Sequence, residues 1–169
     1  MAPRLPTSRA LRELAFLLLA ATLLVAGAPA ALAQGAMEWV EIELVLDGDG
    51  RATVAYQARW RTSGTMHGFY FEGEAAQPRF RGGEAEVPGG RRVPLSITPA
   101  GANRWDVVLA EGEAWGPGEA TYTFSYDADL AAVGLVDVTR PADGPPLTVL
   151  NWSPVVWDAP LDHETLVVL

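Results

Sequence analysis

Past residue 36 the chain is written in a two-residue rhythm. Over residues 39–46, Val40, Ile42, Leu44 and Leu46 alternate with Trp39, Glu41, Glu43 and Val45. Over residues 51–61, Ala52, Val54, Tyr56, Ala58 and Trp60 alternate with Arg51, Thr53, Ala55, Gln57, Arg59 and Arg61. Successive side chains of a strand point to opposite faces, so each run predicts a strand with one buried face. Asp47-Gly48-Asp49-Gly50 lies between them. Glycine takes positive φ freely and aspartate tolerates it, which predicts a hairpin turn. Glu41 and Glu43 on one polar face, and Arg51, Arg59 and Arg61 on the other, predict opposite charges across the pair, each contact contributing about 0.2–1 kcal/mol.

The rest of the chain reads as shorter strands between Gly/Pro punctuation. Met66-His67-Gly68-Phe69-Tyr70-Phe71-Glu72 is an aromatic strand between Gly64 and Gly73. Residues 73–92 are rich in Gly, Glu and Arg and contain Pro78 and Pro88, so they read as loops around a weak strand at 79–81. Strands are expected at 93–98, entered through Pro94, and at 104–109, with a turn at 99–103 between them. Residues 111–118 read as a loop. Residues 120–127 form the second strong strand, with Tyr122, Phe124 and Tyr126 on one face. Residues 129–138 fit either a helical turn or an edge strand. A loop at 141–146, a strand at 147–152, an irregular crossing at 153–160 carrying Trp157, and a strand from 164 complete the reading. No long stretch after residue 33 has a 3.6-residue period. The expected fold is all-β: an antiparallel, immunoglobulin-like β-sandwich of about eight strands, with a closed barrel as the alternative.

The amino terminus follows a different rule. Arg4, Arg9 and Arg12 precede an uncharged, Leu/Ala-rich run from Leu14, then Pro29 and the small-x-small triplet Ala31-Leu32-Ala33. That order predicts a signal-peptide helix over residues 1–33, followed by a single domain over 34–169. A permanent anchor is the alternative, since the uncharged run reaches Met37. The arginines are not paired, and no cysteine offers a lipidation site. The expected location is outside the cytoplasm: periplasmic, cell-surface or secreted.

Loss of residues 1–33 removes three arginines and one glutamate from a chain of 12 basic and 21 acidic residues. The remainder carries nine arginines against 20 acids, about −11, with no lysine. Such a surface is repelled by nucleic acid and anionic lipid. Neutral, cationic or apolar partners remain, and an envelope protein or a glycan fits. With no cysteine the fold rests on its core alone, which 136 residues can supply.

Candidate chemistry is thin. Asp47-x-Asp49-Gly50 begins like a calcium loop, but position 12 is Ala58 rather than glutamate. Asp158, Asp162, His163 and Glu164 are close in sequence, yet a strand would point neighbours to opposite faces. His67 and His163 are the only histidines, and no serine lies in a G-x-S-x-G elbow. The carboxylate pairs Glu72/Glu74 and Glu111/Glu113 carry the hydrolase alternative. No catalytic residue, metal ligand or cofactor is assigned. Trp39, Trp115, Trp152 and Trp157 are the candidates either for stacking on sugar rings or for capping the core. Trp152 and Trp157 are expected to anchor the crossing segment. The sequon Asn151-Trp152-Ser153 is followed by Pro154 and is discounted.

The order of these segments resembles a known family. A strand pair surrounds Asp47-Gly48-Asp49-Gly50. Tyr122-Thr123-Phe124-Ser125-Tyr126 follows, then Leu150-Asn151-Trp152, Val156-Trp157-Asp158-Ala159-Pro160-Leu161 and Thr165-Leu166-Val167-Val168-Leu169. It is similar to the exported amino-terminal domain of a family of uncharacterised bacterial membrane proteins, over most of residues 37–169. In that family a β-sandwich follows a signal peptide, and transmembrane helices come later. The resemblance implies an envelope ectodomain with no assigned catalytic residues; the thin chemistry and the export signal make a non-enzymatic interaction module the expected function. The sequence stops within an apolar strand at Leu169, so truncation from a longer, membrane-tethered chain is expected; a last strand that closes the sheet is the alternative. A carbohydrate-binding module and a carboxylate-dependent hydrolase are the rival functions.

Overall fold

The computed structural model describes residues 35–73 and 76–169. The signal-peptide helix lies outside the described residues. Eleven strands are present among the described residues: β1 (Gly35–Leu46), β2 (Arg51–Thr62), β3 (Gly68–Glu72), β4 (Arg79–Val87), β5 (Arg91–Gly101), β6 (Arg104–Leu109), β7 (Gly118–Asp129), β8 (Val136–Thr139), β9 (Leu147–Leu150), β10 (Val156–Trp157) and β11 (Glu164–Val168). Nine form one sheet in the order β10-β3-β6-β5-β4-β7-β2-β1-β11, while β8 and β9 form a separate ribbon.

The long sheet makes two layers by bending through β5. Glu84–Val87 of β4 pair with Arg91–Pro94, and beyond Pro94 the strand pairs with β6 instead. Proline lacks an N–H and suits the place where a ladder changes partner. The layers then face each other through aromatic rings. Tyr56 of β2 and Phe124 of β7 stack at 5.1 Å between centres, and both stack with Phe71 of β3, at 6.4 and 6.0 Å. Trp60 lies over Phe69 at 5.2 Å, and Tyr122 meets Phe69 edge-on. The alternation in the sequence is realised: Val40, Ile42, Leu44, Val54, Tyr56, Ala58, Trp60, Tyr122, Phe124 and Tyr126 are all buried. The Asp47 carboxylate closes the first turn by accepting from Asp49 N and Arg51 N at 2.9 and 2.8 Å, and Gly50 takes φ +80°.

Five expectations are corrected. The strand placed at 79–81 runs the full nine residues of β4, and residues 88–90 are the hairpin turn into β5. Gly82-Gly83 is a bulge, where β4 shifts register against β7, rather than a loop. The strand count exceeds eight because β8 and the two-residue β10 carry too few residues to show a period. The sandwich is not wholly antiparallel: β11 runs parallel to β1, from Val40↔Glu164 to Leu44↔Val168. Finally, Glu41 and Glu43 stand opposite Gln57 and Ala55, not opposite arginines. The arginines pair elsewhere: Arg59 and Arg61 with Glu38 and Glu119, and Arg51 with Asp129 at 3.9 Å.

Hydrogen bonds from Arg59 and then Arg61 hold the Glu119 carboxyl below its ordinary value of 4.5. A lowered carboxylate contributes stability that is present above the unfolded value and is lost as pH falls through the folded one. Glu119→Gln is therefore expected to lower the melting temperature slightly at neutral pH and to make no difference once pH is well below 4.5. Melting curves of both proteins across the acid range check this.

Candidate functional site

A cleft of about 370 Å³ opens at one end of the sandwich, lined by Gly35, Trp60, Thr65, Met66, His67, Gly68, Asp158 and Ala159. The fold builds it from three distant segments. The last residues of β2 supply Trp60. Backbone bonds between Met66 and Trp115, in both directions at 2.8 and 3.0 Å, hold the loop before β3. The crossing after β10 brings in Asp158, whose carboxylate accepts from Tyr70 N at 3.1 Å.

His67 Nδ1 donates to the Glu113 carbonyl at 3.0 Å. A carbonyl can only accept, so this bond places the proton of a neutral ring on Nδ1 and leaves Nε2 as the basic nitrogen. Desolvation in the cleft raises the Asp158 carboxyl above its ordinary value, against the pull of the Tyr70 N–H. The residue is otherwise solvent-facing, so water screens the effect. The cleft thus offers one carboxyl and one imidazole beside apolar Met66 and Ala159. The guanidinium of Arg104 lies 3.5 Å from the Tyr70 ring centre on the same layer.

The sequence cluster Asp158, Asp162, His163 and Glu164 is split. Asp158 goes to the cleft, while His163 Nε2 meets Thr165 Oγ1 at 3.1 Å on β11. Among the described residues no three His, Cys, Asp or Glu side chains are placed to share a metal ion. Glu113 is paired to Arg91 at 2.8 Å, and Glu72 faces Arg104 at 3.8 Å.

The four candidate tryptophans have separate fates. Trp115 is buried and its Nε1–H donates to Tyr122 Oη at 2.7 Å. Burial pushes the Tyr122 hydroxyl up to about 12, with the Trp115 bond opposing. Trp157 reaches between the layers, 5.6, 5.7 and 5.9 Å from the rings of Tyr56, Phe69 and Phe71. Trp152 is half-buried and packs against the same core. Trp39 is half-buried on β1, opposite Arg59. Sequence reasoning singled out His67 and Asp158 separately but not that they line one cleft, which depends on β10 pairing with β3.

No protein-family model matches this chain, and no curated protein does. Among solved structures, an M1 zinc metallopeptidase from Deinococcus radiodurans is 14% identical at a TM-score of 0.41, over 56% of this chain and 20% of that one, in its E323A mutant. The unsubstituted enzyme is 16% identical at the same TM-score, over 58% and 22%. A two-domain M1 zinc metallopeptidase mutant bound to L-tryptophan is 13% identical over 68% and 24%. This chain thus spans about a fifth to a quarter of those proteins. Among the described residues no helix is long and apolar enough to cross a membrane.

Proposed function

We propose that this chain is an exported β-sandwich ectodomain of a cell-envelope protein that acts by binding a partner, not by chemistry. The observation that carries the reading is the placement of apolar side chains at the sheet margins. Val138 and Leu147 on the β8–β9 ribbon, Val156 on β10 and Leu166 to Leu169 at β11 are all exposed while the aromatic core between the layers is closed. Exposed apolar margins of this kind mark interaction surfaces. The basic, apolar and small-residue order of residues 1–33 supports export.

The test has two parts. Alkaline phosphatase fused after residue 46 is expected to be active in a bacterial host, which requires passage out of the cytoplasm. A broad hydrolase screen of the protein, run beside His67→Ala and Asp158→Asn, is expected to give no turnover that either substitution removes. Turnover lost in both variants would make the cleft an acid–base site and establish the hydrolase reading instead.

Trp39 favours a second reading, because its half-exposed ring stands on the outer face, where a sugar can stack. On the binding-to-protein reading, oligosaccharide titrations leave tryptophan fluorescence flat. A shift that disappears in Trp39→Ala would select the carbohydrate-binding module.

A further inference from the structure

We propose that the free edge of β11 accepts an extended strand from another polypeptide in which apolar residues alternate with arginine or lysine. This rests on the binding-module reading and names the partner's chemistry. Among the described residues β11 is the last strand of its layer, bonded on one side to β1. The bonds Leu169 N to Leu44 O, Leu46 N to Leu169 O and Val40 N to His163 O fix which residues point inward. Main-chain groups of a parallel strand alternate sides, so 163, 165, 167 and 169 face β1, and Glu164, Leu166 and Val168 present their N–H and C=O to the open edge.

The side chains are equally unfinished. Leu166 and Val168 continue the rows of Ile42 and Leu44. Those two are 2% and 0% exposed, whereas Leu166 and Val168 are 39% and 49% exposed. The facing layer ends at the two-residue β10, whose Trp157 reaches Tyr56 on β2. A strand added beside β11 would cover the open flank of both residues. Lysine, proline and bulges, which blunt many natural edges, are absent from β11, whose one charge is Glu164 at its start and whose pairing with β1 has no register break.

Charge selects the occupant. On the outer face Glu41 and Glu43 flank Thr165 and Val167, and no ion pair joins either glutamate among the described residues. An incoming strand lies two strand spacings from β1, about 9–10 Å, a span that Arg and Glu side chains bridge together. A second copy of the chain would bring the same acids and a net charge of −9 to the seam. Main-chain pairing with side-chain selection on alternate residues is strand addition to a sheet edge.

The probe is a short, end-capped, fluorescent peptide of alternating valine and arginine, titrated into the protein and read by anisotropy. Saturable binding is expected, weakened by salt. It is expected to fall about tenfold or more in Leu166→Pro, which removes an edge N–H without touching the β1 bonds, and in Glu41→Lys with Glu43→Lys, which leaves β11 intact. N-methylating alternate peptide nitrogens is expected to do the same without altering the protein. A valine–glutamate peptide that binds equally overturns the proposal. So does a protein dimer abolished by Leu166→Pro, which would make a second copy the occupant. Binding that survives both variants overturns the edge but leaves the binding-module reading in place. Cleavage of the peptide, seen by mass spectrometry, overturns both.

Discussion

Gly68→Ala is expected to lower the melting temperature by roughly 10 °C, from a loss of about 3 kcal/mol. A Cβ on Gly68 would stand 2.0 Å from the Val107 carbonyl oxygen and 2.6 Å from Val108 Cα. Both are backbone atoms, so no rotamer change relieves the clash. β3 and β6 must separate where Gly68 pairs with Val108. β3 is held on its other side by only two residues of β10, so it is the strand that yields. Its movement withdraws Phe69 and Phe71, both buried, from the stack between the layers. Overpacking ordinarily costs about 1–3 kcal/mol, and a clash with main chain belongs at the top of that range. Calorimetry of the variant decides it: a drop below about 2 °C would show that the β3–β6 pair has slack to absorb a methyl group.

Trp157→Ala is expected to cost about 3 kcal/mol, at the low end of the 3–5 that removing a large aromatic usually brings. Two observations set that position. The ring lies against Tyr56, Phe69 and Phe71, so its removal opens a cavity among the largest side chains of the core. Its Nε1–H, however, is buried with no hydrogen-bond partner among the described residues. Leaving such a donor unmet costs about 1–3 kcal/mol, and the substitution recovers part of that. Trp157→Phe should therefore be much milder than Trp157→Ala, because it keeps ring contacts and deletes the unmet donor. The midpoints of urea unfolding at unchanged slope measure both losses. Equal losses for the two variants would mean that the indole nitrogen does have a partner.

The sequence was most legible where period two was unbroken. β1, β2 and β7 fell within a few residues of their observed limits, because one buried face forces strict alternation. β4 was hidden by Gly82-Gly83, since glycine normally weakens a strand. Here it permits one: a Cβ on Gly83 would lie 2.5 Å from Thr123 O and 2.7 Å from Phe124 Cβ, so only glycine lets β4 lie this close to β7. Strand direction was not written in the pattern at all, and the parallel β11 follows from the crossing after β10. The candidate cleft was the least legible feature. Tyr70 and Asp158 meet across 88 residues, and only the closed sandwich places that carboxyl near His67. Trp115 is buried and Trp157 packs among the core aromatics, and the signal for that packing was the aromatic density of β3 and β7. Of the remaining pair, Trp152 packs on the core and Trp39 retains an exposed side.

The parallel pairing of β1 with β11 also decides how the domain carries tension. Gly35 begins one strand, and Leu169 follows the end of its parallel neighbour, so the two lie toward opposite poles of the pair. A pull applied between them runs along the strands and across the rungs that join them. Those rungs are then loaded together in shear, and they cannot be opened one after another like a zip. Rupture requires the whole seam to slip at once, and resistance to forced unfolding is set by the height of that barrier and not by equilibrium stability.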